Sequence, residues 1–128
     1  MDSKLEKNKK NVIEFYDTAF NKCNPKEAIE KYAGDDYIQH NPMVASGKEG
    51  FIKYFLNLAE KYPGKITHFV RTVAEGDLVV VHCRQEWPGE NDYASMDIFR
   101  VDNNSKVVEH WDVIQMVPGE SANSNTMF

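Results

Sequence analysis

A chain of 128 residues, 41 % hydrophobic and 27 % charged, has the make-up of one globular domain that buries a core without staples. Its net charge of -5, with Lys and Arg scattered along the chain, argues against nucleic acid as a partner. The polar start MDSKLEKNKK lacks the apolar stretch of a signal peptide, no run reaches the length of a membrane span, and Cys23 and Cys83 make neither a metal knuckle nor a disulfide scaffold; a cytoplasmic location is expected.

In chain order, the spacing of Val12, Phe15, Tyr16, Ala19 and Phe20 predicts a helix from about Lys4 to Phe20. Asn24, Pro25 and Glu27 read as cap, first-turn proline and capping acid of a short second helix that stops near Tyr32 or Ala33, with Gly34 as the stop signal. DDYIQHNP, Asp35 to Pro42, is expected to be a compact irregular or extended segment, because Pro42 pushes Asn41 out of the helical region. A third helix is expected from about Gly47 to Lys61, its apolar face built from Phe51, Ile52, Phe55, Leu58 and Ala59, ended by Pro63 and Gly64.

From there the chain reads as an antiparallel meander. Four strands are expected at Lys65–Ala74, Asp77–Trp87, Tyr93–Val101 and Lys106–Val117, with turns at Glu75-Gly76, Pro88–Asn91 and Asn103-Asn104. Helices packed on one side of such a sheet make an α+β domain. There is no repeat, Gly-rich phosphate loop, nucleophile elbow or metal-spaced histidine pair.

The last hairpin carries the chemistry-bearing residues. If Asn103-Asn104 is a two-residue loop, Phe99 faces Val108, Asp97 faces His110 and Ser95 faces Asp112, all on one side by the period of two. The other side then carries Met96, Ile98, Arg100, Val107, Glu109, Trp111 and Val113. Two acids around an imidazole suit acid–base chemistry, because histidine exchanges protons near neutral pH and a carboxylate in an apolar chamber becomes a better base. Proton abstraction beside a carbonyl, or addition of water, would need no cofactor. A buried Asp–His pair is equally at home as a structural network. Asp97, His110 and Asp112, with His40 as a fourth, could also ligate a metal, although the spacing is not diagnostic.

Around this cluster, His40 in YIQHNP would either donate to a substrate oxygen or cap a backbone carbonyl, and Asn41 is read as a turn former. Tyr16, Tyr32 and Tyr37 would pack as core aromatics or point hydroxyls inward, whereas Tyr54 and Tyr62 look superficial. Phe15, Phe55, Phe69 and Phe99 would give an apolar wall. His82 and Arg84 read as the solvent side of a half-covered sheet, and Cys83 as a small buried residue.

YIQHNP, GKEGFIKYF and MDIFRVDNNSKVVEHWDVIQ together resemble the SnoaL-like polyketide cyclase family, within the wider ketosteroid-isomerase and nuclear-transport-factor-2 (NTF2-like) class. The resemblance runs from about residue 7 to 117, leaving 118–128 as a flexible tail. It implies an NTF2-like cone, a strongly curved antiparallel sheet packed against three N-terminal helices and enclosing a pocket. It also implies cofactor-free acid–base catalysis of the aldol-cyclisation, isomerisation or hydration type on a small, largely apolar carbonyl compound. The catalytic acid of such cyclases matches Asp112, and their partner histidine matches Asp97, a departure that puts polyketide cyclisation itself in doubt. His110 and His40 complete the expected catalytic set, and Tyr16, Tyr37, Phe55, Ser95 and Phe99 the expected pocket, with no cofactor and no metal. Further expectations are a homodimer through the sheet and, as the alternative function, a non-catalytic module for a small hydrophobic ligand.

Overall fold

The structure, a computed structural model, describes residues 3–128. Helix α1 (Ser3–Tyr16) runs into a π-helical turn (Asp17–Asn21), followed by α2 (Pro25–Tyr32), β1 (Ala33–Gln39), α3 (Lys48–Lys61), β2 (Ile66–Glu75), β3 (Leu78–Glu86), β4 (Tyr93–Val101) and β5 (Val107–Met116). The cap of α2 forms as its sequence suggests: the Asn24 side chain accepts from Glu27 N–H at 3.2 Å, and its amide donates back to the Glu27 carboxylate at 3.2 Å.

The five strands lie in the order β1-β5-β4-β3-β2, so β1 and β2 are unpaired edges and the sheet is not closed. This corrects the expected cone: the sheet is open rather than strongly curled, and helices rather than sheet curvature complete the enclosure. Nor is it wholly antiparallel. β1, read only as an irregular or extended segment, joins β5 in parallel, with Gln39 opposite His110. Gly34 belongs to this strand and is not a left-handed helix stop. A Cβ there would sit 2.6 Å from Val108 Cγ1, so glycine permits the close approach of β1 to β5. The free edge at β2 is partly covered by Asn21, whose amide donates to Thr67 O at 3.1 Å and accepts from Thr67 N–H at 2.8 Å.

Two of the hairpin turns differ from the expected ones. Gly76 (φ 58°) and Asp77 form the β2–β3 loop, since Glu75 pairs with Leu78. At the β4–β5 turn, Asp102 Oδ1 accepts from Asn104 N–H at 2.8 Å and Lys106 N–H at 3.0 Å, and Ser105 takes φ 62°. The result is a three-residue loop with a left-handed third residue in place of a two-residue turn. A bulge at Val108 follows. The register is therefore offset by two from the expected one: Asp97 faces Asp112, Phe99 faces His110 and Ser95 faces Ile114. An even offset keeps each side chain on its face, so the acids and the imidazole still share one side. The bulge turns Val107 into the core, where it is fully buried, instead of onto the outer face.

That inner face packs against the helices. Val79, Val81 and Cys83 of β3 and Phe99 and Val101 of β4 meet Val12, Phe15, Ala19 and Phe20 in one cluster that takes in Ala28, Ile29, Tyr37 and Phe51. Phe15 is its hub, stacked on Phe51 at 5.0 Å and edge-on to Phe99 at 6.2 Å. The outer face leaves Met96 and Val113 exposed, and the C-terminal Phe128 ring stacks on His82 at 5.9 Å. Among the described residues, no helix is long and apolar enough to cross a membrane.

Candidate active site

A cavity opens between the sheet's inner face and the helices, with about 540 Å³ of empty space, its open mouth included. The part deep enough for water-molecule centres is about 60 Å³; roughly 10–15 Å³ of that measure holds one water, so the site fits a small molecule or a narrow portion of a larger one. α1 and the π-helical turn contribute Phe15, Tyr16, Ala19 and Phe20; α3 contributes Phe51, Tyr54, Phe55 and Leu58. The polar groups come from the strands: Gln39 of β1 and Asn41 just after it, Gln85 of β3, Asp97 of β4, and His110 and Asp112 of β5. An apolar wall with a few convergent polar groups is the usual character of a small-ligand site.

The polar groups form one network. Asp97 is 1 % exposed; its Oδ1 meets His110 Nε2 at 2.8 Å and its Oδ2 accepts from Ser95 Oγ at 2.8 Å. His110 Nδ1 lies 2.7 Å from Gln39 Oε1, which also accepts from Asn41 N–H at 3.0 Å. A backbone N–H can only donate, so that Gln39 atom is the oxygen and His110 Nδ1 carries hydrogen. The other ring nitrogen, Nε2, is the one that faces Asp97 Oδ1. Asp112 Oδ2 stands 3.9 Å from the same Nε2 and accepts from Asn41 Nδ2 at 3.0 Å, while its Oδ1 makes no hydrogen bond among the described residues.

Burial is the main force on Asp112 and pushes its carboxyl above the usual range. The His110 charge opposes this, Asp97 adds to it, and the Asn41 hydrogen bond works against it. Burial also drives the Tyr37 hydroxyl well up, with Asp97 contributing. That hydroxyl accepts from Gln39 Nε2 at 3.3 Å and keeps its own hydrogen for another partner. Tyr16, raised by burial first, accepts from Gln85 Nε2 at 2.9 Å.

The expected residues thus divide. Asp97, His110, Asp112, Tyr16, Tyr37, Phe55 and Phe99 all line the cavity, and Ser95 lies directly behind Asp97. His40 does not line it. Its ring stacks on Trp111 at 4.8 Å and its Nε2 meets Glu109 at 2.7 Å, on the opposite side of the sheet. Tyr54, expected at the surface, lines the cavity, as does Trp87. Gln39 and Gln85 were not singled out, and Asn41 proves to be both turn former and site residue: its Oδ1 accepts from Met43 N–H at 2.8 Å while its amide holds Asp112. The signal for β1 was the period of two, because reading YIQHN as a strand puts Tyr37, Gln39 and Asn41 on one side and His40 on the other. Asp97, His110 and Asp112 each offer one ligand atom within 4.8 Å of the others and are the residues that could hold a metal.

No curated protein sequence matches the chain. Solved structures share the fold: TsrD from Streptomyces laurentii (TM-score 0.70, 20 % identity, 82 % of this chain and 86 % of that one); AclR from Streptomyces galilaeus, described as a candidate hydroxylase (0.71, 19 %, 88 % and 81 %); and IdmH from Streptomyces antibioticus, described as a candidate polyketide cyclase (0.66, 17 %, 84 % and 91 %). The SnoaL-like domain profile matches residues 12–110, a span that contains β1, β4 and the Asp97–His110 pair. The chain therefore belongs to the SnoaL-like domain family.

Proposed function

We propose that this protein is a cofactor-free acid–base enzyme that removes a proton from carbon beside a carbonyl in a small, largely apolar compound. The observation that carries this reading is Asp112: a carboxylate at the cavity wall, raised by burial, with one oxygen uncommitted among the described residues and an imidazole nitrogen 3.9 Å from the other. A base of raised pKa accepts a proton more readily.

In the proposed reaction Asp112 takes the proton from the α-carbon. Asp97 and Gln39 hold the His110 ring by its two nitrogens, so Nε2 stays beside Asp112. The Tyr37 hydroxyl, whose hydrogen is uncommitted, donates to the oxygen of the forming enolate, the role first expected of His40. The aromatic wall of Phe15, Phe51 and Phe55 excludes water and selects an apolar body. The enolate then attacks a second carbonyl, is reprotonated elsewhere or eliminates water, according to the substrate. AclR and IdmH are described with different activities on this one fold, so the fold alone does not choose among these outcomes.

The test is deuterium exchange. Small ketones and β-dicarbonyl compounds are incubated with the protein in heavy water and their α-positions followed by NMR. Exchange above background that disappears in Asp112→Asn supports the reading. Ligands that bind without any exchange would replace it with the non-catalytic binding reading.

A further inference from the structure

Outside the acid–base cluster, the end of the π-helical turn brings a thiol against a buried amine. Cys23 takes the left-handed φ of 55°, and its exposed side chain folds back until Sγ lies 3.7 Å from the Phe20 carbonyl oxygen. Lys65, 3 % exposed, donates from Nζ to that same carbonyl. Its Nζ lies 3.8 Å from Cys23 Sγ and 4.1 Å from the centre of the Phe20 ring. One carbonyl therefore gathers an accessible thiol and an enclosed amine side by side.

A lysine is rarely enclosed this far unless a carboxylate pairs with it, and among the described residues Lys65 has none: its polar partners are the Phe20 carbonyl and the Cys23 sulfur. Burial pushes its amine below the ordinary lysine range, with Cys23 acting in the opposite direction. Burial thus favours the neutral, nucleophilic amine. The other thiol, Cys83, is enclosed and pushed up to about 12, first by burial and then by Asp97, so it is a poor competitor for oxidants.

We propose that Cys23 and Lys65 form an oxidation-dependent covalent clamp, a sulfenamide between Sγ and Nζ. In the first step the Cys23 thiol gives up its proton as its sulfur attacks hydrogen peroxide: an S–O bond forms, the O–O bond breaks, and the displaced oxygen takes that proton and leaves as water, giving the sulfenic acid. In the second, the Lys65 amine attacks that sulfur: an S–N bond forms, the S–O bond breaks and a second water leaves. Sulfur is oxidised by two electrons and peroxide is reduced to water. An external thiol reverses the clamp by attacking the sulfur and releasing the amine. The link ties the residue just before β2 to the segment just after the π-helical turn, and that turn carries Ala19 and Phe20 of the cavity wall.

The experiment exposes the full chain to equimolar hydrogen peroxide, blocks residual thiol with N-ethylmaleimide and maps peptides without reductant. The expected product joins the Cys23 and Lys65 peptides at about 2 Da below their summed masses and separates with dithiothreitol. Lys65→Arg keeps a cation but not the amine, and should leave Cys23 as a dimedone-reactive sulfenic acid. Absence of the joined peptide in wild type, with Cys23 instead captured by dimedone or over-oxidised, would overturn the clamp. The wild-type mapping decides the matter even if the variant folds poorly.

Discussion

Gln39 Oε1 stands 2.7 Å from His110 Nδ1, across the parallel pairing of β1 and β5. This one bond decides which imidazole nitrogen faces Asp97 and Asp112, because the glutamine oxygen is itself pinned by Asn41 N–H. Gln39→Leu should release the ring. The expected result is a displaced ring, seen as shifted His110 ring-nitrogen resonances, with turnover lowered about 10-fold or more, as when the partner that orients a functional histidine is lost. Unchanged ring-nitrogen resonances would show that Asp97 alone suffices.

Asp112→Asn should leave folding intact and lower α-proton exchange by about 100-fold or more, the usual worth of a positioned base. The check is the exchange rate beside a urea melt. Full exchange in a folded variant would remove Asp112 from the reaction.

The pH dependence follows from the raised pKa of Asp112. Activity requires the carboxylate, so it should climb with pH through an inflection above the usual value of about 4. Stability runs the other way. In the window between the unfolded and raised native pKa, the native state holds more proton, so this group's contribution weakens as pH rises. Asp112→Asn should flatten that part of the stability profile, as read by denaturation at stepped pH.

Asp97→Ala should cost about 3 kcal/mol, because it strands the His110 Nε2 and Ser95 Oγ groups that it holds in the interior. Asp102→Ala removes only the side-chain acceptor for two turn N–H groups and should cost about 1 kcal/mol. Equal unfolding midpoints for the two variants would contradict the enclosure of Asp97.

His40→Ala should leave exchange within about twofold of wild type, since a half-exposed side chain stacked on Trp111 lies outside the cavity. A large loss would return His40 to the mechanism.

Much of the fold was legible because local chemistry dictates it. The stripe of Val12, Phe15, Tyr16, Ala19 and Phe20 marks α1 and its continuation, Asn24-Pro25 marks the start of α2, and alternation around Val79, Val81 and Cys83 marks β3. What stayed hidden depends on distant partners. β1 is short and held by β5, so the DDYIQHNP segment read only as irregular or extended rather than as a strand of the sheet. The β4–β5 register was missed by two residues because Asp102 and Ser105 enlarge the turn, yet the even offset preserved the grouping of Asp97, His110 and Asp112. Gln39 and Gln85 carry no signal as residue types, and only their strand phase points them inward. The expected cone came from resemblance, and the unpaired edges at β1 and β2 overrule it.

The pairing of β1 with β5 has a bearing on how the molecule comes together. Gln39 and His110 are 71 positions apart, so the edge strand has nothing to lie against until nearly the whole meander has been laid down. Bringing such remote segments together incurs loop-closure entropy before any contact rewards it, and topologies of this kind fold slowly. The early helices and the hairpins can organise first, with the candidate site completed as the last event of folding. A chain still lacking its final strand would hold most of its apolar interior and neither His110 nor Asp112.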